Sequence, residues 1–262
     1  MVNTSAGYGD ARAELYDQLL YDLDRRDAAF YADLARNVDG AALELACGTG
    51  RIYLDLLSAG IDADGIDVSA DMLSILRQKA NRAGLEPSVW RADVTDFAVG
   101  REYGLLYCPF NALQHLVTIE DQLAALRCAH DALAPGGRFV FDVFVPSFDL
   151  IAETYGEWHE NDVEFRGAEH RHRKRTRIVD EIEQRFEVET ELYDPDGERV
   201  FSSTDHLKML PKREIELLAR RSPFDEWSVA GGFDGAAGEL ASGDDTIEDG
   251  DTIQVWTLRK AD

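Results

Sequence analysis

The sequence predicts an α/β fold that consists of a parallel sheet, an antiparallel β insertion and a cap of helices formed by the amino-terminal segment. Between positions 39 and 150, short apolar runs alternate with stretches of helical periodicity, and strands that alternate with helices form parallel sheets. Beyond Ile151, apolar residues recur at every second position, which is typical of antiparallel strands. A length of 262 residues suits one large domain or one domain with an insertion.

The first 38 residues are predicted to form a helical cap. Apolar side chains recur every three to four residues from Ala11 to Val38, and two helices with a break near Asp24 to Asp27 fit this pattern. We therefore expect three units: a cap over 1–38, a core over 39–150 and 207–262, and an insertion over 151–206 that forms a lid over the site or the interface of a homodimer.

The core is predicted to contain five strands and three helices in alternation. Ser69 and Thr118 are placed to cap the second and third helices, and Pro135-Gly136-Gly137 is expected to end the third. The predicted strands cover 41–45, 63–67, 88–91, 104–108 and 138–145, and the predicted helices begin at Arg51, Ala70 and Ile119.

The insertion and the carboxyl-terminal segment follow a different pattern. Ile182, Phe186, Val188 and Leu192 alternate with glutamates, and Pro195-Asp196-Gly197 predicts a turn. The expected elements after that turn are a strand at 199–204, a helix at 211–220, a strand at 225–230, an acidic glycine-rich loop at 231–250 and a strand at 252–258.

An arginine-rich run at 170–177 precedes the glutamate-rich strand. In isolation the run suggests contact with RNA, but a hairpin that pairs arginine with glutamate explains both segments, and we favour this salt ladder. With a three-residue turn at 179–181, the predicted register places Arg177 opposite Glu183, Arg173 opposite Glu187, Arg171 opposite Glu189 and Ile178 opposite Ile182.

The composition is strongly acidic. There are 51 acidic and 27 basic residues, a formal net charge of −24, and only five of the basic residues are lysines. Such a surface is typical of a salt-adapted protein, as in haloarchaea, because salt screens the repulsion within the folded chain. The same charge disfavours binding to nucleic acid.

No segment predicts export or a membrane span. The first residues lack an apolar run after a basic start, and no stretch approaches the ~18 apolar residues of a span, so we expect a soluble cytoplasmic protein with no membrane partner. Three cysteines without CxxC spacing indicate neither a disulfide framework nor a zinc site. Asn111 and Asp142 together offer too few ligands for Mg²⁺, so no metal is expected.

The run Glu44-Leu45-Ala46-Cys47-Gly48-Thr49-Gly50-Arg51 lies between the first strand and its helix, where open α/β sheets bind ligands. Asp67 follows Gly48 by 19 residues at the end of the next strand, where a carboxylate can accept both hydroxyls of a ribose. Tyr53 replaces the third glycine of a dinucleotide site, and Glu44 disfavours a pyrophosphate. The sequence therefore predicts a nucleoside ligand that carries positive charge and no phosphate.

These residues resemble the class I S-adenosylmethionine-dependent methyltransferases. The likeness continues in Arg91-Ala92-Asp93-Val94, in Cys108-Pro109-Phe110-Asn111 and in Leu133-Ala134-Pro135-Gly136-Gly137. It implies a Rossmann-like sheet of seven strands that ends in an antiparallel hairpin, with S-adenosylmethionine as cofactor. By the same resemblance, the residues that bind the cofactor are Tyr16, Tyr21, Glu44, Ala46, Gly48, Gly50, Asp67, Val68, Met72, Asp93, Val94, Phe110 and Asn111.

The amino-terminal tyrosines, Tyr16 and Tyr21, are similar to those of a subgroup that acts on small molecules; packing on the sheet edge is the alternative role. We predict methyl transfer to nitrogen or oxygen of a small metabolite. The rival interpretations are an RNA or protein methyltransferase and a module that binds S-adenosylmethionine without catalysis.

Methyl transfer from a sulfonium mainly requires proximity and exclusion of water, so a base is optional. His115, four residues after Asn111, is the candidate catalytic residue, with a purely structural histidine as the alternative. Trp158 and His159 are candidates to line the acceptor pocket because they precede the insertion.

Overall fold

The computed structural model describes residues 10–20, 26–236 and 243–262. The helices are α1 (Asp10–Leu20), α2 (Arg26–Arg36), α3 (Tyr53–Ser58), α4 (Ala70–Ala83), α5 (Ile119–Ala132), α6 (Phe148–Thr154), α7 (Lys212–Arg221) and α8 (Gly232–Ala236). The strands are β1 (Ala42–Leu45), β2 (Ala63–Asp67), β3 (Ser88–Arg91), β4 (Tyr103–Cys108), β5 (Leu133–Phe144), β6 (His159–Phe165), β7 (Ala168–Asp180), β8 (Arg185–Tyr193), β9 (Arg199–Lys208), β10 (Glu226–Gly231) and β11 (Ile253–Arg259).

The main sheet has seven strands in the order β10-β11-β5-β4-β1-β2-β3. Strands β1 to β5 pair in parallel, and β11 lies antiparallel between β5 and β10. The predicted Rossmann-like seven-stranded sheet with an antiparallel end is confirmed. Because β1 pairs with both β2 and β4, the order reverses at β1, and a ligand site is expected outside its carboxyl end.

A second sheet, β6-β7-β8-β9, is antiparallel throughout and forms the predicted insertion. Here the sequence-based register of the β7–β8 hairpin was wrong. Arg177 pairs with Glu187 and Ile178 with Phe186, four residues further along β8 than predicted. The reason is the turn: the Asp180 side chain accepts from the backbone of Ile182 and Glu183, so the reversal takes more residues than a three-residue loop.

The salt ladder itself is present in the shifted register. Arg177 donates to Glu187 at 2.8 Å, Arg175 to Glu189 at 2.7 Å, and Arg173 to Glu191 at 3.3 Å. Three of the four arginines in the run are therefore paired with carboxylates along the hairpin, and Arg171 lies over the ring of Tyr193.

The predicted helix caps on α4 and α5 are confirmed. The Ser69 hydroxyl accepts from the Met72 amide and the Thr118 hydroxyl from the Asp121 amide. At its other end, α4 closes on Gly84 in the left-handed conformation.

Four other boundaries differ from the prediction. Helix α5 ends at Ala132, before Pro135-Gly136-Gly137, because Leu133 is already extended and pairs with Tyr103 of β4. The Lys260 ammonium binds the carbonyls of His130 and Leu133 at that end. Ile151 lies in α6, whose first turn is capped by Ser147, so the antiparallel strands begin only at His159. Asp27 belongs to the first turn of α2, and the predicted loop at 231–250 begins with α8.

Both faces of the seven-stranded sheet are covered, and its central strands are buried on both sides. All four residues of β1 are buried. On one face the Tyr31 ring of α2 stacks on Tyr107 of β4, with ring centroids 5.1 Å apart. Among the described residues, no helix is both long and apolar enough to cross a membrane.

Candidate active site

A cavity of about 480 Å³ opens at the carboxyl ends of β1, β2 and β4. Helix α1 contributes to one side of it and strand β9 of the second sheet to another. The cavity thus lies at the reversal of strand order and between two elements that are remote in sequence.

The glycine-rich loop forms the floor. Ala46 and Gly48 line the cavity with positive φ angles of 57° and 54°, and the Gly48 amide points its N–H at Asp67. Gly50 also has a positive φ, but a Cβ there would lie 2.7 Å from Leu76, so this glycine permits close packing on α4. Gly50 is not among the residues that line the cavity.

Asp67 at the end of β2 is the best-defined polar group of the floor. It is buried, and its two oxygens accept from the Gly48 amide at 2.8 Å and the Ser69 amide at 2.7 Å. Burial raises its pKa, and these two amide bonds oppose the rise. Each carboxylate oxygen has a second lone pair, so the fixed side chain can still accept the two hydroxyls of a ribose.

Glu44, at the cavity edge of β1, is also buried. Burial raises its pKa to about 8, while the hydrogen bond from the Tyr107 hydroxyl and the charge of Arg51 act in the opposite direction. Near neutral pH the side chain is therefore mostly protonated, and a cationic group bound beside it would favour its ionised form.

The far side of the cavity is largely apolar and has one carboxylate at its rim. Val68, Met72 and Val94 supply apolar surface, and Met72 is buried. Asp93 is exposed at the rim, and its Oδ1 accepts from both the amide and the hydroxyl of Thr95. The other oxygen of Asp93 is available to accept from an exocyclic amino group.

The loop after β4 contains two consecutive left-handed residues, Phe110 and Asn111, with φ angles of 59° and 60°. Buried Asp142 accepts from both of their amides and from the Tyr31 hydroxyl, and Asn111 Oδ1 accepts from the Phe144 amide. Phe110 lines the cavity, whereas the Asn111 side chain is used to hold the loop.

Asp142 has no ligand-like role in this arrangement. Burial raises its pKa to about 6, and three protein donors occupy its oxygens. Within the described part of the chain, no group of three or more histidine, cysteine or acidic side chains could hold a metal ion.

Helix α1 is tied to the glycine-rich loop. Asp17 accepts from the Thr49 hydroxyl at 2.6 Å and from the Lys79 ammonium at 2.7 Å, and Tyr16 of the same helix lines the cavity. A second tie is the buried ion pair of Arg51 with Asp27 in α2. Tyr21, the other amino-terminal tyrosine predicted to bind the cofactor, lies outside the described residues.

The remaining part of the cavity, beside His115 and β9, is polar. His115 borders it, and burial lowers the pKa of its imidazole, with Asp205 opposing and Arg12 reinforcing that shift. Arg12 of α1 forms an ion pair with Asp205 of β9, and Ser203 lies beside them on the cavity wall.

Sequence reasoning missed Arg12, Ser203 and Asp205. For Ser203 and Asp205 the only signal was the alternation of side chains along β9, which does not reveal what the strand packs against. Trp158 and His159 were wrong as pocket residues: Trp158 lies under Arg173 and Arg175, whose guanidinium carbons are 4.4 and 4.6 Å from its ring centroid. His159 is exposed, 3.5 Å from the Thr154 carbonyl.

Comparison with known proteins places this site in a family. Residues 42–137, which contain the glycine-rich loop, Asp67 and the loop after β4, match a methyltransferase domain family. A demethylmenaquinone methyltransferase of Thermus thermophilus is 35% identical over 159 residues, 52% of this chain and 67% of the relative. The chain belongs to the class I S-adenosylmethionine-dependent methyltransferases. The predictions of a methyltransferase and of S-adenosylmethionine as its cofactor are confirmed.

Two further relatives of this methyltransferase come from Streptomyces. The dTDP-3-amino-3,6-dideoxy-alpha-D-glucopyranose N,N-dimethyltransferase of Streptomyces fradiae is 32% identical over 52% of this chain and 54% of the relative, so the alignment spans about half of that protein. The dTDP-3-amino-3,4,6-trideoxy-alpha-D-glucopyranose N,N-dimethyltransferase of Streptomyces venezuelae is 28% identical over 72% of this chain and 78% of the relative.

The fold of the methyltransferase extends to solved structures over nearly its whole length. The CcbJ methyltransferase of Streptomyces caelestis superposes with a TM-score of 0.73, covering 98% of each chain at 21% identity. This likeness supports the fold, including the second sheet.

Proposed function

We propose that this methyltransferase transfers a methyl group from S-adenosylmethionine to the nitrogen of a small amino metabolite of the amino-sugar class. The observation that carries the proposal is one continuous cavity. It joins a nucleoside-type half at Gly48 and Asp67 to a polar half at His115 and Asp205.

The cofactor-binding residues fit the group chemically. Asp67 offers two oriented carboxylate oxygens to the ribose, Asp93 an acceptor to the adenine amino group, and Met72 an apolar surface. Glu44 lies where a cationic amino-acid moiety would lower its pKa. When bound, S-adenosylmethionine supplies a methyl carbon on a sulfonium, which a nitrogen lone pair attacks as the carbon–sulfur bond breaks.

The polar half suits an amine. The Asp205 carboxylate attracts an ammonium group, and His115, held neutral by its lowered pKa, can take the proton that this ammonium must lose to expose its lone pair. Arg12 fixes Asp205 from the other side. The insertion over 151–206 forms the acceptor side of the site, and its strand β9 supplies the residues that line the cavity there.

The relatives support nitrogen over oxygen as the methylated atom. Two of them are named for N,N-dimethylation of amino sugars. Against an RNA methyltransferase stand the net charge of −24 and the pairing of the arginine-rich run with glutamates. The same pairing removes the main argument for a nucleic-acid partner.

The acidic surface supports a salt-adapted protein that works in the cytoplasm of a halophile. As an alternative to a role at the acceptor site, we infer that the outer face of the second sheet forms the interface of a homodimer. Gel filtration with light scattering tests this inference.

The function is tested with S-adenosylmethionine that carries a trideuterated methyl group and with dTDP-3-amino-3,6-dideoxy-alpha-D-glucopyranose as acceptor. Mass spectrometry should find one or two labelled methyl groups on the sugar nitrogen. His115→Asn should slow the transfer, whereas the control His130→Asn, on α5, should not. Label on total RNA or protein, and none on amines, would contradict the proposal; no transfer to any acceptor would favour a module that only binds.

A further inference from the structure

His115 belongs to a short 3₁₀ turn, Ala112–His115, that packs beside β9. The start of this turn is fixed from the core, because Asp142 accepts from the Asn111 amide just before it. His115 and Asp205 border the same cavity, one from the turn and the other from β9. The relative position of the 3₁₀ turn and β9 therefore sets the distance between the imidazole and the carboxylate.

Gln114, the residue before His115, joins these two elements directly. Its side chain is completely buried, and its Nε2 donates to the backbone carbonyl of Lys208 at 3.1 Å. Lys208 is the last residue of β9 and follows Asp205 by three positions. This distance is about 10 Å along a strand. A hydrogen bond thus connects the turn that contains His115 to the strand that contains Asp205.

The end of β9 is anchored to other parts of the chain as well. The Lys208 ammonium donates to the Glu183 carbonyl at 2.9 Å and forms an ion pair with Glu214 of α7 at 3.3 Å. Two residues further on, the buried Gln254 side chain donates to the Leu210 carbonyl at 2.8 Å. These contacts keep the strand end in the fold when its bond to the 3₁₀ turn is removed.

Gln114 contributes little net stability. Its Oε1 is buried and has no hydrogen-bond partner among the residues that the structure describes. Replacing Gln114 by methionine exchanges one unsatisfied oxygen, Oε1, for another, the Lys208 carbonyl, so the free energy of unfolding should change little. The effect to expect from losing this side chain is a shift in position rather than unfolding.

We propose that Gln114 is a positioning residue for methyl transfer, which holds β9 at the distance from the 3₁₀ turn at which Asp205 and His115 act on the same amine. This role rests on the proposed acceptor half of the cavity. It adds a residue that acts from outside the site, since Gln114 is not among the residues that line the cavity. A displacement of about 1 Å at the reacting groups can slow a reaction by about 100-fold.

Gln114→Met has a similar volume and no amide, so it removes the bond to β9. With the amino sugar as acceptor, kcat/KM for the acceptor should fall by about 10-fold or more, while KM for S-adenosylmethionine and the thermal midpoint should stay close to the parent values. Gln122→Met is the matched control and should keep the parent kcat/KM. Gln122 is also buried with an unsatisfied Oε1, but its Nε2 donates to the Leu116 carbonyl, so the link to β9 remains.

The titration of His115 gives a readout that does not depend on the acceptor. Burial lowers the pKa of this imidazole and outweighs the charges of Asp205 and Arg12. When β9 moves away in Gln114→Met, water should reach the imidazole, and its pKa should rise toward the ordinary value of histidine. NMR of histidine-labelled protein in complex with S-adenosylhomocysteine measures this pKa, with His115→Asn to assign the signal.

A parent-like His115 pKa in Gln114→Met, parent-like transfer by that variant, or an equal loss of transfer in Gln122→Met would overturn the positioning role. If Gln114→Met does not fold, Gln114→Asn takes its place with the same expectations, because its amide is one methylene too short to reach Lys208. A raised His115 pKa in Gln114→Met, without transfer of methyl to any amine by the parent, would instead count against the proposed function alone.

Discussion

Asp67 and Glu44 end neighbouring parallel strands, yet their environments give them different chemistry. Backbone amides stabilise the ionised form of Asp67, whereas Glu44 receives one phenol hydrogen bond and is otherwise desolvated. Asp67 is therefore a carboxyl group held in a fixed orientation, and Glu44 is one that takes up or releases a proton as its surroundings change.

Asp67→Ala should weaken binding of S-adenosylhomocysteine by on the order of 10²-fold, because two charge-assisted hydrogen bonds of ~1.5–3 kcal/mol each are lost. Asp67→Asn keeps the shape and should lose less. Calorimetric titration in molar KCl measures both, with Asp71→Asn in the first turn of α4 as the control. Parent-like affinity in Asp67→Ala would show that the ribose lies elsewhere.

The raised pKa of Glu44 predicts a pH-dependent stability. The folded protein keeps a proton on Glu44 that the unfolded chain releases between pH 4.5 and about 8, so the free energy of unfolding should fall as pH rises through that window. The fall is at most about 1.4 kcal/mol per pH unit.

Glu44→Gln mimics the protonated form and should remove this fall. Urea unfolding of the parent, of Glu44→Gln and of the exposed control Glu102→Gln across the window isolates the contribution of Glu44, since other titrating groups are common to all three. Parallel pH profiles for the parent and Glu44→Gln would mean that Glu44 is ionised in the folded protein.

At the scale of elements, local signals predicted local structure well. The hydroxyl caps of α4 and α5 and the strands β2 and β3 depend on residues that are close in sequence, and they appear where the sequence placed them. The β7–β8 register failed because both strands alternate charged with other residues, so a shift by four still places Arg173 and Arg177 opposite glutamates. Arg171, predicted opposite Glu189, faces Tyr193 instead, and the turn at Asp180 is part of the observed register.

The attachment of α1 should control how long the cofactor stays bound. Asp17→Asn weakens the ties to Thr49 and Lys79, so we expect affinity for S-adenosylhomocysteine to fall by about 3- to 10-fold, mainly through faster dissociation.

Stopped-flow displacement measures that rate, and hydrogen exchange of α1 should increase in the variant. Asp33→Asn removes an exposed ion pair with Arg36 in α2 and is the control. An unchanged dissociation rate in Asp17→Asn would show that α1 does not close the site.

For the whole molecule, the proposed acceptor half of the cavity is the part that the sequence could not predict. The ion pair of Arg12 with Asp205 joins residues that are 193 positions apart, and neither residue is part of a sequence motif. The cofactor half, by contrast, follows from strand ends and one glycine-rich loop, which a parallel sheet brings to one edge whatever the rest of the chain does.

The net charge of −24 predicts salt dependence of the whole fold. Salt weakens the exposed arginine–glutamate pairs, but each contributes only about 0–1 kcal/mol, while screening relieves repulsion among all the excess carboxylates. The thermal midpoint should therefore rise substantially from low salt to molar KCl, as followed by circular dichroism. A midpoint that stays constant or falls would remove the salt-adapted interpretation.

We infer that one cavity holds the cofactor at the strand ends and the acceptor against β9. A crystal structure of the complex with S-adenosylhomocysteine tests it most directly. We expect both ribose hydroxyls within hydrogen-bond distance of the Asp67 carboxylate, the adenine between Met72 and Asp93, and the sulfur facing the half that contains His115 and Asp205. A nucleoside bound beside His115 and Asp205, or a ribose out of reach of Asp67, would contradict it.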